Sequence, residues 1–187
     1  MAISLSGERC EEIKRIVVDF YEKYDICCTP ISGFELATKM GVDVIPYSSY
    51  TPYQQKCFVE ASEDGFTARR GNVIKILYNQ SKQYKRINNT LLHEIGHIVL
   101  EHTQDSELAE AEAKFFAKYA LAPPVLIHKL KEKTPENISD VFDISFEAAT
   151  YALEYYKKWL AYGSNEYTDY ELRTLKLFKD AVWYIII

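Results

Sequence analysis

The chain of 187 residues is 48% hydrophobic and 26% charged, ordinary proportions for a soluble globular chain of one domain, or of one domain with a small appendage. Its 22 basic and 27 acidic residues leave a net charge of −5, which gives no strong nucleic-acid signal. No apolar run of about eighteen residues is present to span a bilayer, and Met1 to Glu12 lacks the charged-then-apolar order of a signal peptide. Cys10, Cys27, Cys28 and Cys57 match neither a CxxC zinc pair nor a secreted disulfide framework, so we expect reduced, buried thiols in a cytoplasmic protein with no membrane partner.

Ile13, Ile16, Val17, Phe20 and Tyr21 recur at helical spacing and predict a first helix from about Ser6 to Tyr24. A shorter helix follows Ser32 and ends at Gly41, after which Val42-Asp43-Val44-Ile45 alternates as a strand does until Pro46. A helical stretch from about Gln54 to Ala61 leads into Gly65 to Arg69 and Val73 to Tyr78, two β-rich runs around Gly71-Asn72 that read as a hairpin. From Asn89 onward the chain reads as almost wholly helical. Asn89 or Thr90 is placed to cap a helix carrying His93 to Glu101, and Asp105 or Ser106 to cap another that runs to about Leu121 and is stopped by Pro123-Pro124. Further helices are predicted near Val125 to Lys131, Ile138 to Phe142, Ser145 to Tyr162 and Thr168 to Trp183. The apolar tail Ile185-Ile186-Ile187 is expected to pack on the core or on a sister chain. The expected class is α+β: a mostly helical domain, 1–187, with a small antiparallel sheet ahead of the His93 helix and a helical C-terminal extension over 125–187.

The segment with chemical content is His93-Glu94-Ile95-Gly96-His97. Residues four apart on a helix are offset by about 40°, so the two imidazoles project side by side and can share one ion. Glu94 lies about 100° around the axis, too far aside to join them as a ligand but able to reach a water at the ion's open position. Zinc held there would acidify that water and polarise a scissile carbonyl, while the carboxylate takes the proton and hands it to the leaving amine. Gly96 lets a second segment approach closely. At this composition the HExxH pattern arises by chance in roughly one such chain in 100, so it is a fairly specific signal.

A catalytic zinc needs a third protein ligand. The three-histidine form of the motif would need His at 103, which is Thr103, and His102 falls on the opposite face if the helix continues. The next helix offers Glu110 and Glu112 beside the packing face of Ala113, Phe116, Ala117, Ala120 and Leu121. Glu110 lies nearer the centre of that face and is favoured, with Glu112 as the alternative. Lys114 stands one turn from Glu110, a spacing at which it can pair with that carboxylate and compete with a metal. Tyr78, Tyr119 and His128 are candidate oxyanion donors, although among 15 tyrosines a buried structural role is the commoner one.

The string Asn89-Thr90-Leu91-Leu92-His93-Glu94-Ile95-Gly96-His97, followed by Glu110-Ala111-Glu112-Ala113-Lys114-Phe115-Phe116-Ala117-Lys118-Tyr119-Ala120-Leu121-Ala122-Pro123, resembles the ImmA/IrrE family of bacterial metallopeptidases. The shared order is a hairpin, the motif helix, then a helix with an Glu-x-x-Ala-like element and a closing proline, over about Val42 to Pro124. The resemblance implies a gluzincin-like site with His93, His97 and Glu110 on Zn2+ and Glu94 as base. Members often carry Asn or Asp where this chain has Lys114. Because they typically cleave DNA-binding repressors of phages or integrative elements, it also implies a helix-turn-helix transcriptional repressor as the protein substrate.

Two non-enzymatic readings stand beside this one. Ile138 to Thr150 reads as a helix, a tight turn and a second helix, the outline of a DNA-binding regulator. That second helix is poor in base-reading side chains until Lys157-Lys158, so docking of a repressor is the favoured use of this end. The other is an interaction protein on the same fold whose metal site has lapsed through Lys114. The sequence carries no signal for an oligomeric state.

Overall fold

The computed structural model describes residues 4–71, 73–162 and 166–180; Asn72 of the hairpin, the end of the last predicted helix at Trp183 and the Ile185-Ile186-Ile187 tail lie outside them. In chain order the elements are α1 (Gly7–Lys23), α2 (Gly33–Met40), β1 (Asp43–Pro46), α3 (Pro52–Ala61), β2 (Gly65–Arg70), β3 (Val73–Tyr78), α4 (Tyr84–Val99), α5 (Glu107–Leu121), α6 (Pro124–Lys129), α7 (Pro135–Phe142), α8 (Phe146–Tyr162) and α9 (Asp169–Leu177). The α+β, mostly helical class follows from this order. The backbone divides into two compact units, one on Ser32–Ala117 and the other on Ser4–Ile31 with the chain from Lys118 onward.

In the first unit, the Ser32 hydroxyl accepts the Glu35 N–H to start α2, and Gly41 ends it at φ 69°, a left-handed turn that costs glycine little. β2 and β3 form the predicted hairpin, pairing antiparallel from Gly65 opposite Tyr78 to Arg70 opposite Val73. β1 adds to the other edge of β3 in parallel, so the three-stranded sheet, in order β1-β3-β2, is mixed and not wholly antiparallel. The connection from β1 through α3 and β2 is long enough for the crossover that a parallel pair needs.

α4 crosses this sheet and buries Ile87, Leu91, Leu92 and Ile95, the i, i+4, i+5, i+8 stripe of one helical face. It begins earlier than Asn89 or Thr90 capping would place it. Gln83 is the N-cap and makes no side-chain cap bond. The polar residues that suggested a start are inside the helix: Thr90 Oγ1 donates to the Arg86 carbonyl, and neighbouring Asn88 accepts the Gly33 N–H at 2.7 Å. A Cβ on Gly33 would stand 2.6 Å from Leu91 Cβ, so only glycine lets the start of α2 seat on α4.

The second unit joins α1 to the C-terminal helices. Ser6 caps α1 through the Arg9 N–H, and the Tyr21 hydroxyl, fully buried, donates to the Ala120 carbonyl at 2.5 Å. Tyr21 meets Phe178 edge to face, with ring centroids 5.4 Å apart, and Tyr170 donates to Glu11 at 2.6 Å. α7 and α8 are joined through Asp143 at φ 48°, closed by a Ser139 hydroxyl bond to the Ile144 carbonyl. The first turn of α8 carries the acidic Glu147 and an exposed Phe146, which is not the composition of a base-reading helix.

Candidate metal centre

The buried stripe of α4 decides where the motif points. With Leu91, Leu92 and Ile95 held in the core, His93 and His97 are left one turn apart on the neighbouring face, and their Nε2 atoms stand 3.1 Å from each other. Burial pushes both imidazoles below their ordinary pKa, which favours the neutral form that can bind a metal.

α5 supplies the acid. Ser106 caps this helix by accepting the Ala109 N–H at 3.0 Å, which fixes Glu110 on its first turn. The approach of α5 to α4 is close at Gly96, where a Cβ would lie 3.1 Å from Phe116 Cδ1 and 3.2 Å from the Ala113 carbonyl. Glu110 then reaches across, with Oε2 3.2 Å from His93 Nε2 and Oε1 3.2 Å from His97 Nε2. Lys114 is exposed, and among the described residues Glu110 is ion-paired with His93 and His97 and not with this lysine. The two imidazoles hold the carboxylate, and a solvated lysine gains little from an exposed partner one turn away.

Glu94 is 7% exposed. Its Oε2 accepts a 2.8 Å hydrogen bond from Thr67 Oγ1 on β2. Burial pushes its carboxyl pKa up to about 7; the Thr67 bond opposes the shift and the charge of Glu110 adds to it. The motif helix and the sheet edge therefore set the surroundings of this carboxyl jointly.

With the imidazole pair, the acid on α5 and the sheet-held Glu94 in this order along the chain, the comparison with known families is informative. The model of the Peptidase_M78 family, described as an IrrE N-terminal-like domain, matches residues 38–154. The chain belongs to this family. No curated protein matches the chain. Peptidase_M78 is a metallopeptidase family, so the site is of metallopeptidase type.

The residues of this M78 chain fit a metal. His93, His97 and Glu110 each offer a ligand atom, all within 4.8 Å of one another. Ligands about 2.0–2.1 Å from a tetrahedral ion stand about 3.3 Å apart, against the 3.1 and 3.2 Å separations here. Two neutral imidazoles and a carboxylate present only lone pairs to their common centre, an arrangement that a cation satisfies.

Glu112, the alternative acid, is buried and turns to His102, with Oε2 2.9 Å from Nε2. His102 Nδ1 in turn lies 3.0 Å from His97 Nδ1. The helix does not continue to His102, so the far-face placement that a continuing helix would give does not apply. α4 ends in a Schellman turn in which the Glu101 N–H bonds the Ile98 carbonyl and the His102 N–H bonds the His97 carbonyl, with Glu101 at φ 57°. That turn folds His102 back over His97. The usual sequence mark of such a turn is Gly or Asn at the left-handed position, and Glu101 conceals it.

The three candidate oxyanion donors have these surroundings. The ring of Tyr78 meets Phe34 at 5.5 Å, Tyr119 is buried in the second unit, and His128 Nδ1 is 3.0 Å from the Tyr156 hydroxyl.

Proposed function

We propose that the protein is a zinc-dependent endopeptidase of regulatory type, acting on a helix-turn-helix repressor of a phage or mobile element. The observation that carries this reading is the convergence of His93, His97 and Glu110 on one point, with the buried carboxyl of Glu94 following His93 in the same helix. Two imidazoles and one carboxylate form a donor set used by catalytic zinc, which keeps a fourth position open. When bound, the ion acidifies a water and polarises the scissile carbonyl.

The chain's own residues perform the proton work. Glu94 takes the proton of the attacking water and passes it to the leaving nitrogen as the peptide bond breaks. The Thr67 hydroxyl occupies one oxygen of Glu94 and so orients the other for that transfer. His93 and His97 stay neutral as ligands, and Glu110 contributes the negative charge that favours a divalent ion. The repressor as substrate is supported by the resemblance to ImmA/IrrE peptidases.

The test is co-expression with the repressor encoded beside the gene, comparing wild type with Glu94→Gln. Cleavage is expected from wild type, with a loss of at least ~10²-fold in the variant and no change in zinc content. Equal cleavage by both would remove Glu94 from catalysis, and an intact repressor in both would remove that substrate.

A further inference from the structure

Three groups beyond the ligands form a continuous chain at the end of α4: Glu112, His102 and the outward nitrogen of His97. The side chains of His102 and Glu112 are 11% and 8% exposed, so the hydrogen bonds between them operate with little competition from water. One ordered run of donors and acceptors satisfies both contacts. An ionised carboxylate only accepts, so the 2.9 Å contact with Glu112 requires a proton on His102 Nε2. A metal on His97 Nε2 would leave the proton of that imidazole on Nδ1, so the 3.0 Å contact between the two Nδ1 atoms is then made with His97 donating and His102 accepting. With its proton there, His97 has its lone pair on Nε2, the atom that faces His93 Nε2 and Glu110.

We infer that Glu112 and His102 are positioning residues for the metal centre, which lock His97 in the Nδ1-protonated tautomer and hold its ring with Nε2 turned to the ion. The inference rests on the metal-site reading above and extends it to residues outside the ligand set. His102 serves as a relay because it touches both Glu112 and His97, and the Schellman turn at Glu101 delivers its imidazole to that position. Outer partners of this kind raise ligand basicity and typically contribute 10–100-fold to metal affinity.

The experiment uses the full chain in two states. In the metal-free protein, ring 15N NMR reads the tautomer of His97; with zinc alone as the probe, competition against a chelator reads affinity. Wild type is expected to show a protonated Nδ1 and an unprotonated Nε2 on His97. His102→Phe keeps a ring but no acceptor, and Glu112→Ala removes the carboxylate; each is expected to mix the two tautomers and weaken zinc binding ~10–100-fold. His102→Gln, which restores a carbonyl acceptor, and Glu112→Gln, which keeps one facing His102, are expected to recover most of both.

A purely structural role for the pair predicts lowered melting temperatures with the tautomer and zinc affinity of the folded variants unchanged, and that result would overturn the inference while leaving the metal site standing. A wild-type His97 protonated on Nε2 would overturn it as well. Failure of wild type to bind zinc would instead strike the metal-site reading, and the metal-free spectra would still decide the tautomer.

Discussion

At the scale of single residues, charge and burial separate the acids of the site. Glu110 sits beside two imidazoles and is exposed, Glu112 is buried against a third, and Glu94 is buried against a hydroxyl. These settings predict different losses. Glu110→Ala removes a proposed ligand and is expected to weaken zinc binding by at least ~10²-fold in a chelator competition, more than any single change in the outer pair. Lys114→Asn is expected to leave affinity within about threefold, because an exposed lysine with no ion pair to the site contributes little after solvent screening. A large gain from that substitution would show that the lysine does compete with the metal.

At the scale of elements, two local features of α4 set the site. Gly96 permits the approach of α5, and Gly96→Val would drive its side chain toward Phe116 Cδ1 and the Ala113 carbonyl, the latter being backbone that yields little. A loss of about 1–3 kcal/mol by denaturant titration is expected, together with weaker zinc binding as Glu110 recedes. Glu101 occupies the left-handed position of the Schellman turn. Glu101→Gly is therefore expected to stabilise the fold by about 1 kcal/mol, seen as a raised melting temperature, while keeping His102 in place. An unchanged or lowered melting temperature would argue against strain at this residue. These features differ in legibility. A glycine inside an amphipathic stripe announces a close approach, whereas a glutamate with positive φ announces nothing.

At the scale of the whole molecule, α1 and α9 meet within the second unit through polar contacts as well as core. Glu11 on α1 bonds both Lys14, at 2.5 Å, and Tyr170 on α9. Arg173 on α9 reaches Asp19 and Glu22 of α1, each at 2.5 Å. Burial raises the Glu11 carboxyl, but its bonds to Lys14 and Tyr170 outweigh this and hold it below the ordinary 4.5. A carboxyl depressed in the folded state stabilises above its unfolded pKa and loses that contribution as pH falls through the folded value. Stability of the wild type should therefore fall as the pH drops below about 4.5, and Glu11→Gln should flatten part of that fall. Melting curves from pH 6 to about pH 3 measure this directly, and identical pH profiles would rule the contribution out. Among the described residues no helix is long and apolar enough to cross a membrane.

The sequence by itself determined the local part of this protein. Gly41 ended a helix, the Gly65 to Tyr78 runs made a hairpin, Pro123-Pro124 stopped α5, and His93 with His97 shared a helical face, because caps, turns and periodicity depend on residues a few positions apart. Tertiary structure decided what distant segments do to each other. Asn89 and Thr90, the expected caps, became interior helix residues because α4 starts at Tyr84, where α2 and the apolar stripe recruit its first turns. β1 joined the sheet in parallel, and Thr67 reached Glu94 from a strand 27 positions away. The two acids of α5 were divided by where α4 ended: a left-handed residue that no local pattern marks folded His102 onto His97, leaving Glu110 beside His93 and His97 and Glu112 beside the histidine behind them.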